Sequence, residues 1–136
     1  MVDAVESIGA LKLTQAALHW AQSLTPVLGA FVTSFAVGIA NNLMNNLPLG
    51  LITGGTLHAA HAKGLIADSV LIGVDLGPNL SVTGSLATIL WLIALHEEKL
   101  DVSFWDFLKV GAVAMPVALL ISVGGAILMQ VLVKAP

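Results

Sequence analysis

The sequence contains no cysteine. This excludes a disulfide framework, a thiolate metal site and a redox thiol, and it leaves the compartment unread from that residue type. Arginine is absent as well: all five basic residues are lysines. Charged residues make up only 10% of the chain, where a soluble domain carries about 25%. The net charge of −3 gives no basic footprint for nucleic acid. There is no G-x-x-x-x-G-K-[ST] loop, so the chain does not itself hydrolyse ATP by that route. No nucleophile–base pair is apparent, so an enzyme is not expected, and neither is a cofactor.

What remains is apolar. Hydrophobic residues account for 57% of 136 positions. A soluble domain of this size leaves much of its surface in water and could not hide them, whereas a bilayer is a solvent that suits them. The length accommodates about four or five membrane segments at roughly 20 residues each. Secondary transporters are commonly built from two repeats. This chain therefore reads as a fragment or half, or as a partner of a second copy or another chain.

The few polar residues mark the breaks. Residues 1–24 hold Asp3, Glu6, Lys12, His19 and Trp20. Val5, Ile8, Leu11, Leu18 and Trp20 fall at loosely helical spacing, which predicts an amphipathic lead or the end of a preceding helix. Asp3 and Glu6 stand where a signal peptide would be basic, so none is expected. Residues 24–40 are uncharged, with Gly29, Ala30, Ser34 and Gly38 at close-packing positions. At about 17 residues they reach only about 25 Å. They run into Asn41-Asn42-Leu43-Met44-Asn45-Asn46, then Pro48 and a second short apolar arm. Amides in lipid are costly unless paired or facing a cavity. A re-entrant helical hairpin over about 25–60 is the expectation.

Residues 65–76 are apolar and too short to span. They end at Asp75-Leu76-Gly77-Pro78-Asn79-Leu80-Ser81-Val82-Thr83-Gly84-Ser85. Glycine and proline stop a helix there, and an apolar stretch resumes from Leu86. This predicts a discontinuous helix over about 65–96. Phe104, Trp105 and Phe107 suggest an interfacial helix at 102–110, followed by a full transmembrane helix at 111–133 with Pro116 near its start. The expected fold is an all-α membrane protein whose two interruptions mark a transport site. The lysines divide too evenly between the two sides to fix an orientation.

Asp75 is the only acidic residue inside an apolar segment. Burial disfavours the charged form of a carboxylate, which makes this position a candidate for proton or ion coupling. The competing reading is a carboxylate that braces the turn through backbone N–H groups. Asn79, Ser81 and Thr83 offer amides and hydroxyls suited to a hydroxylated substrate or a dehydrated cation, or to satisfying the broken backbone itself. Asn41, Asn42, Asn45 and Asn46 are either substrate ligands or caps at the hairpin tip, with Asn42 and Asn46 the favoured ligands. His58 and His61 share a spacing that metal ligands use, but lack a third partner beyond Asp68, so solvated histidines are expected. His96-Glu97-Glu98 begins like a zinc-protease motif, but Leu100 stands where the second histidine belongs.

Two of these stretches carry a resemblance. Ala40 to Pro48 resembles the hairpin of bacterial arsenite/antimonite efflux permeases of the ArsB type. Leu71 to Trp91, through Asp75-Leu76-Gly77-Pro78-Asn79, is similar to that family's long motif nearly residue for residue. The segment from Ser103 to Pro116 also reads like it. The likeness covers roughly residues 25–130 and only the C-terminal repeat of such a permease. It implies half of an inverted-repeat transporter in the bacterial inner membrane, exporting arsenite or antimonite in exchange for protons. It also implies a missing N-terminal repeat or second copy, and a possible soluble arsenite-stimulated ATPase partner. By matching positions, Asn42, Asn46, Asp75, Asn79, Ser81 and Thr83 inherit the site. Arsenite near neutral pH is mainly an uncharged trihydroxide, whose hydroxyls Asn, Ser and Thr can hydrogen-bond. An exchanger for another anion or for sodium, and a non-transporting membrane remnant or assembly subunit, are the alternatives.

Overall fold

The computed structural model describes residues 9–134. The expectations for Asp3, Val5, Glu6 and Ile8 lie outside them. Among the described residues all regular structure is helical: α1 (Ala10–Gln22), α2 (Pro26–Met44), α3 (Asn46–Ala59), α4 (Leu65–Leu76), α5 (Leu86–Glu97) and α6 (Phe104–Lys134). Two short 3-10 turns, Gly77–Asn79 and Val82–Gly84, lie between α4 and α5.

The local sequence explains these boundaries. Thr25 caps α2 by accepting from the Leu28 N–H, and Pro26 occupies the first turn, where its missing N–H costs nothing. Gly29 lets the end of α1 close onto α2: a Cβ there would sit 2.6 Å from the Ala21 carbonyl oxygen. Asn45 ends α2 and starts α3 with φ 70° and ψ 153°, a positive-φ conformation outside the αL well that glycine adopts most easily. The tip of the bend is therefore Asn45 alone. Asn41 and Asn42, expected in that tip, remain inside α2, so the first arm is longer than predicted. Their amides bond across to another element and leave the helix intact.

The core is a stack of small residues. Gly29, Ala30, Thr33, Ser34, Gly38 and Asn41 form the buried face of α2. It packs most extensively on α4, whose buried face is Ser69, Val70 and Gly73. A Cβ on Gly73 would meet the Ser34 carbonyl oxygen at 2.7 Å, so the two backbones approach closely, as polar-lined helix pairs in membranes do. The buried Met115, Leu119 and Val123 recur every fourth residue on α6, forming one stripe against α2 and α4. Two buried hydroxyls are turned onto their own helices: Ser69 donates to Leu65 O at 2.6 Å and Thr53 to Leu49 O at 2.8 Å.

The separate interfacial helix at 102–110 and span at 111–133 are instead one continuous helix, α6. The Ser103 hydroxyl accepts from the Asp106 N–H, starting the helix ahead of the aromatics, and no glycine–proline stop follows. Helix α2 and the Phe104–Val133 stretch of α6 are long and apolar enough to cross a bilayer. Helix α5 has no buried residue; its Trp91 ring stands edge-on to Phe107 of α6 at 6.5 Å. Helices α1 to α4 line a half-open pocket of about 220 Å³, with Leu18, Thr33, Val37, Leu49, Thr53 and Val70 among its walls.

Candidate functional site at the interrupted helix

The interruption after α4 begins with a missing donor. In a continuing helix the residue at 78 would donate to the carbonyl of Val74, but Pro78 has no N–H. Asn41 supplies that donor from α2. Its Nδ2 donates to Val74 O at 2.8 Å and to Gly73 O at 2.9 Å. An unpaired buried carbonyl would cost about 1–3 kcal/mol, which this amide avoids. Asn41 is fully buried, and its Oδ1 is enclosed without a partner.

Asn42 performs the next repair. A helix would join the Ser81 N–H to Gly77 O. Instead the Asn42 carboxamide is inserted between them. Its Nδ2 donates to Gly77 O at 2.9 Å, and its Oδ1 accepts from the Ser81 N–H at 3.0 Å. The same amide donates to Gly38 O at 2.8 Å and accepts from the Ser81 hydroxyl at 2.7 Å. Thr83 adds a bond from its hydroxyl to Asn42 O at 3.0 Å and shares another with Ser81 at 2.9 Å. Asn45 Nδ2 reaches Thr83 O at 3.4 Å. Asn42, Asn45, Ser81 and Thr83 thus form one hydrogen-bonded cluster joining the end of α2 to the break.

Close backbone contact makes this possible. A Cβ at Gly77 would lie 2.6 Å from Asn41 Nδ2, and one at Gly84 would lie 2.8 Å from Asn42 Oδ1. Gly111 brings α6 against the carbonyls of Asn79 and Leu80, where any Cβ would overlap. The sequence signals Gly77 and Gly84 by their place in the motif. Gly73 and Gly111 lie in apolar runs, where one glycine looks like any other, and were not foreseen.

The remaining expected site residues are differently placed. Asn46 is half-buried and opens α3; its side chain makes no hydrogen bond to another described residue. Asn79 is exposed and donates only to Leu76 O at 3.0 Å. It lines a cavity of about 260 Å³ with Phe107, Val110, Gly111, Ala114 and Ala118. Asp75, expected to be buried, stands on the exposed face of α4. It has no hydrogen bond or ion pair with any described residue. The backbone N–H at the break, that of Ser81, is met by Asn42 Oδ1 and not by this carboxylate. Polarity therefore divides into two sets: Asn41, Asn42 and Ser81 are consumed by the fold, while Asn46, Asp75, Asn79 and the exposed Thr83 keep capacity to bind. His58 and His61 are exposed, and no group of three His, Asp or Glu side chains among the described residues could hold a metal ion.

Comparison with known proteins identifies relatives of this chain. Residues 3–129 match the family described as arsenical pump membrane protein, ArsB. The chain is 32% identical over 87 residues to an arsenical pump membrane protein of Yersinia enterocolitica, covering 61% of this chain and 20% of that protein. It is 33% identical over 85 residues to one from Escherichia coli, covering 60% of this chain and 20% of that protein. A putative arsenical pump membrane protein of Bacillus subtilis is 28% identical over 95 residues, covering 66% of this chain and 21% of its own. The matched region thus spans about a fifth of these relatives. No solved structure matches. With its interrupted apolar helix, its helices of membrane-crossing length and a family match over most of its residues, this chain is a membrane protein and belongs to the ArsB family of arsenical pump membrane proteins.

Proposed function

We propose that this chain is the C-terminal part of a multi-pass permease of the bacterial inner membrane. The permease exports arsenite or antimonite in exchange for protons. The observation that carries this reading is Asp75: an exposed carboxylate on an apolar helix, two residues ahead of the break and without a partner of its own. Ionisable residues at membrane depth are expensive and mark substrate or proton pathways.

In this reading Asp75 takes up a proton from one side and releases it on the other. Asn46, Asn79 and Thr83 present amides and a hydroxyl to As(OH)3 or Sb(OH)3, which donate and accept in turn. Asn41, Asn42 and Ser81 hold the interrupted backbone open. The region between Asn45 and the break is half of the site, and a missing repeat or second copy supplies the other half. The α2–α3 pair serves as the re-entrant hairpin. A soluble ATPase that responds to arsenite is a possible partner of the assembled permease.

The test uses everted vesicles containing the complete permease. Asp75→Asn abolishes arsenite uptake driven by a proton gradient, measured per amount of permease inserted. Undiminished uptake would remove Asp75 from the coupling role. Competition by antimonite but not by sodium or other anions supports the metalloid; the reverse order of competition assigns the site to another exchanger.

A further inference from the structure

Asp75 sits ten residues into α4, about 15 Å along it. Its face is exposed: Asp68, Leu71 and Asp75 recur on one side, while Ser69, Val70 and Gly73 are buried on another. No described residue neutralises it. The ion pairs among the described residues are His96–Asp101 and Lys109–Asp106, both in exposed positions. There is no arginine in the sequence, and the five lysines lie outside the α4 segment. A carboxylate this far along an apolar helix in a bilayer is costly, unlike Asp68 in the first turn, and such residues pair with one another or face protein. The matched relatives are about five times longer than the region they share with this chain, so other helices are available to cover that face.

We infer that the exposed face of α4 docks a helix from outside residues 9–134 that carries a lysine or arginine, which pairs with Asp75. This deepens the proposed function, and rests on its placing of this chain within a larger permease. Charge complementarity selects the occupant. A wholly apolar helix would leave the carboxylate unmet. A second copy of α4 would bring a second carboxylate against the first. In the transport cycle the arriving proton and the basic side chain then compete for the same oxygens.

The complete permease tests this in native membranes. Each Lys or Arg predicted at membrane depth outside this segment is changed to Met, alone and together with Asp75→Asn. Breaking one partner of a buried pair leaves an uncompensated charge. Asp75→Asn, and one of the basic-to-Met changes, should therefore lower the inserted amount by about tenfold or more. Combining the two should restore it to near the unsubstituted level. Should no combination restore the amount, or should Asp75→Asn alone leave it unchanged, the pairing is overturned. The restored double variant separates this inference from the coupling role. If its uptake no longer follows the proton gradient, Asp75 couples protons. If uptake remains proton-driven, the pair stands and the coupling assignment falls.

Discussion

Asn42 of α2 stands in for a backbone hydrogen bond between Gly77 and Ser81. Its Nδ2 donates to Gly77 O at 2.9 Å and its Oδ1 accepts from the Ser81 N–H at 3.0 Å. One carboxamide has both a donor and an acceptor, so it can bridge an opened helical ladder without leaving either end unsatisfied. Non-helical backbone at membrane depth survives only where something covers its polar groups. Here the cover is a side chain 39 residues away in sequence.

Asn42→Ala should remove all four bonds of that amide and leave the Ser81 N–H unpaired, with Gly77 O keeping only its bond from the Leu80 N–H. The expected cost is about 2–4 kcal/mol, read as a lower thermal midpoint of the detergent-solubilised permease. Asn42→Asp should be at least as harmful, because it removes both donated bonds and sets an anion beside two carbonyls. A midpoint within a degree of the unsubstituted protein would show that the bridge is dispensable.

The glycines offer a contrast within one chain. Gly77→Ala and Gly111→Ala place a Cβ into backbone and amide atoms, so the tight junction must shift; overpacking of this kind costs about 1–3 kcal/mol. Gly124→Ala and Gly125→Ala meet nothing within 4 Å and should be neutral or stabilise α6 by up to about 1 kcal/mol. Equal effects at the two pairs of sites, measured as inserted amount after mild heating, would contradict the packing.

At the tip, Asn45 has φ 70°. Asn45→Gly keeps the positive-φ bend, which glycine adopts without strain, and loses only the weak contacts to Thr83 O and from the Leu47 N–H, so no loss of stability is expected. Asn45→Val forces a β-branched residue into that conformation and should cost about 1–2 kcal/mol. Circular dichroism during thermal melting in detergent distinguishes them: the glycine variant should melt close to the unsubstituted chain and the valine variant below it.

Asn41 and Asn46 are both asparagines of one motif but should fail differently. Asn41→Ala uncovers the Val74 carbonyl, leaving Gly73 O its bond from the Gly77 N–H, and should reduce the inserted amount of permease. Asn46→Ala removes no hydrogen bond to a described residue. It should insert normally and lower arsenite uptake severalfold through a weaker apparent affinity. Normal uptake by an Asn46→Ala permease would take that residue out of the site.

The sequence by itself determined the solvent and the places where the chain stops being helical. Ten per cent charge in a mostly apolar chain needs a bilayer, whatever its tertiary arrangement. Pro78 lacks an N–H, and Gly77 beside it favours a break, so the interruption is a local property and was legible at the right residues. The continuity of α6 was not, because aromatic residues suggest an interface without stopping a helix. The roles of the asparagines were decided only by tertiary structure. Asn41, Asn42 and Asn46 are chemically identical, and spacing cannot say which amide faces an orphaned carbonyl. That depends on α2 lying against α4 through Gly38, Gly73 and Gly77, which brings two of the three amides to the break and leaves the third without a bond. The same packing turns Asp75 outward on α4, an exposure that its place in an apolar run gave no means of foreseeing.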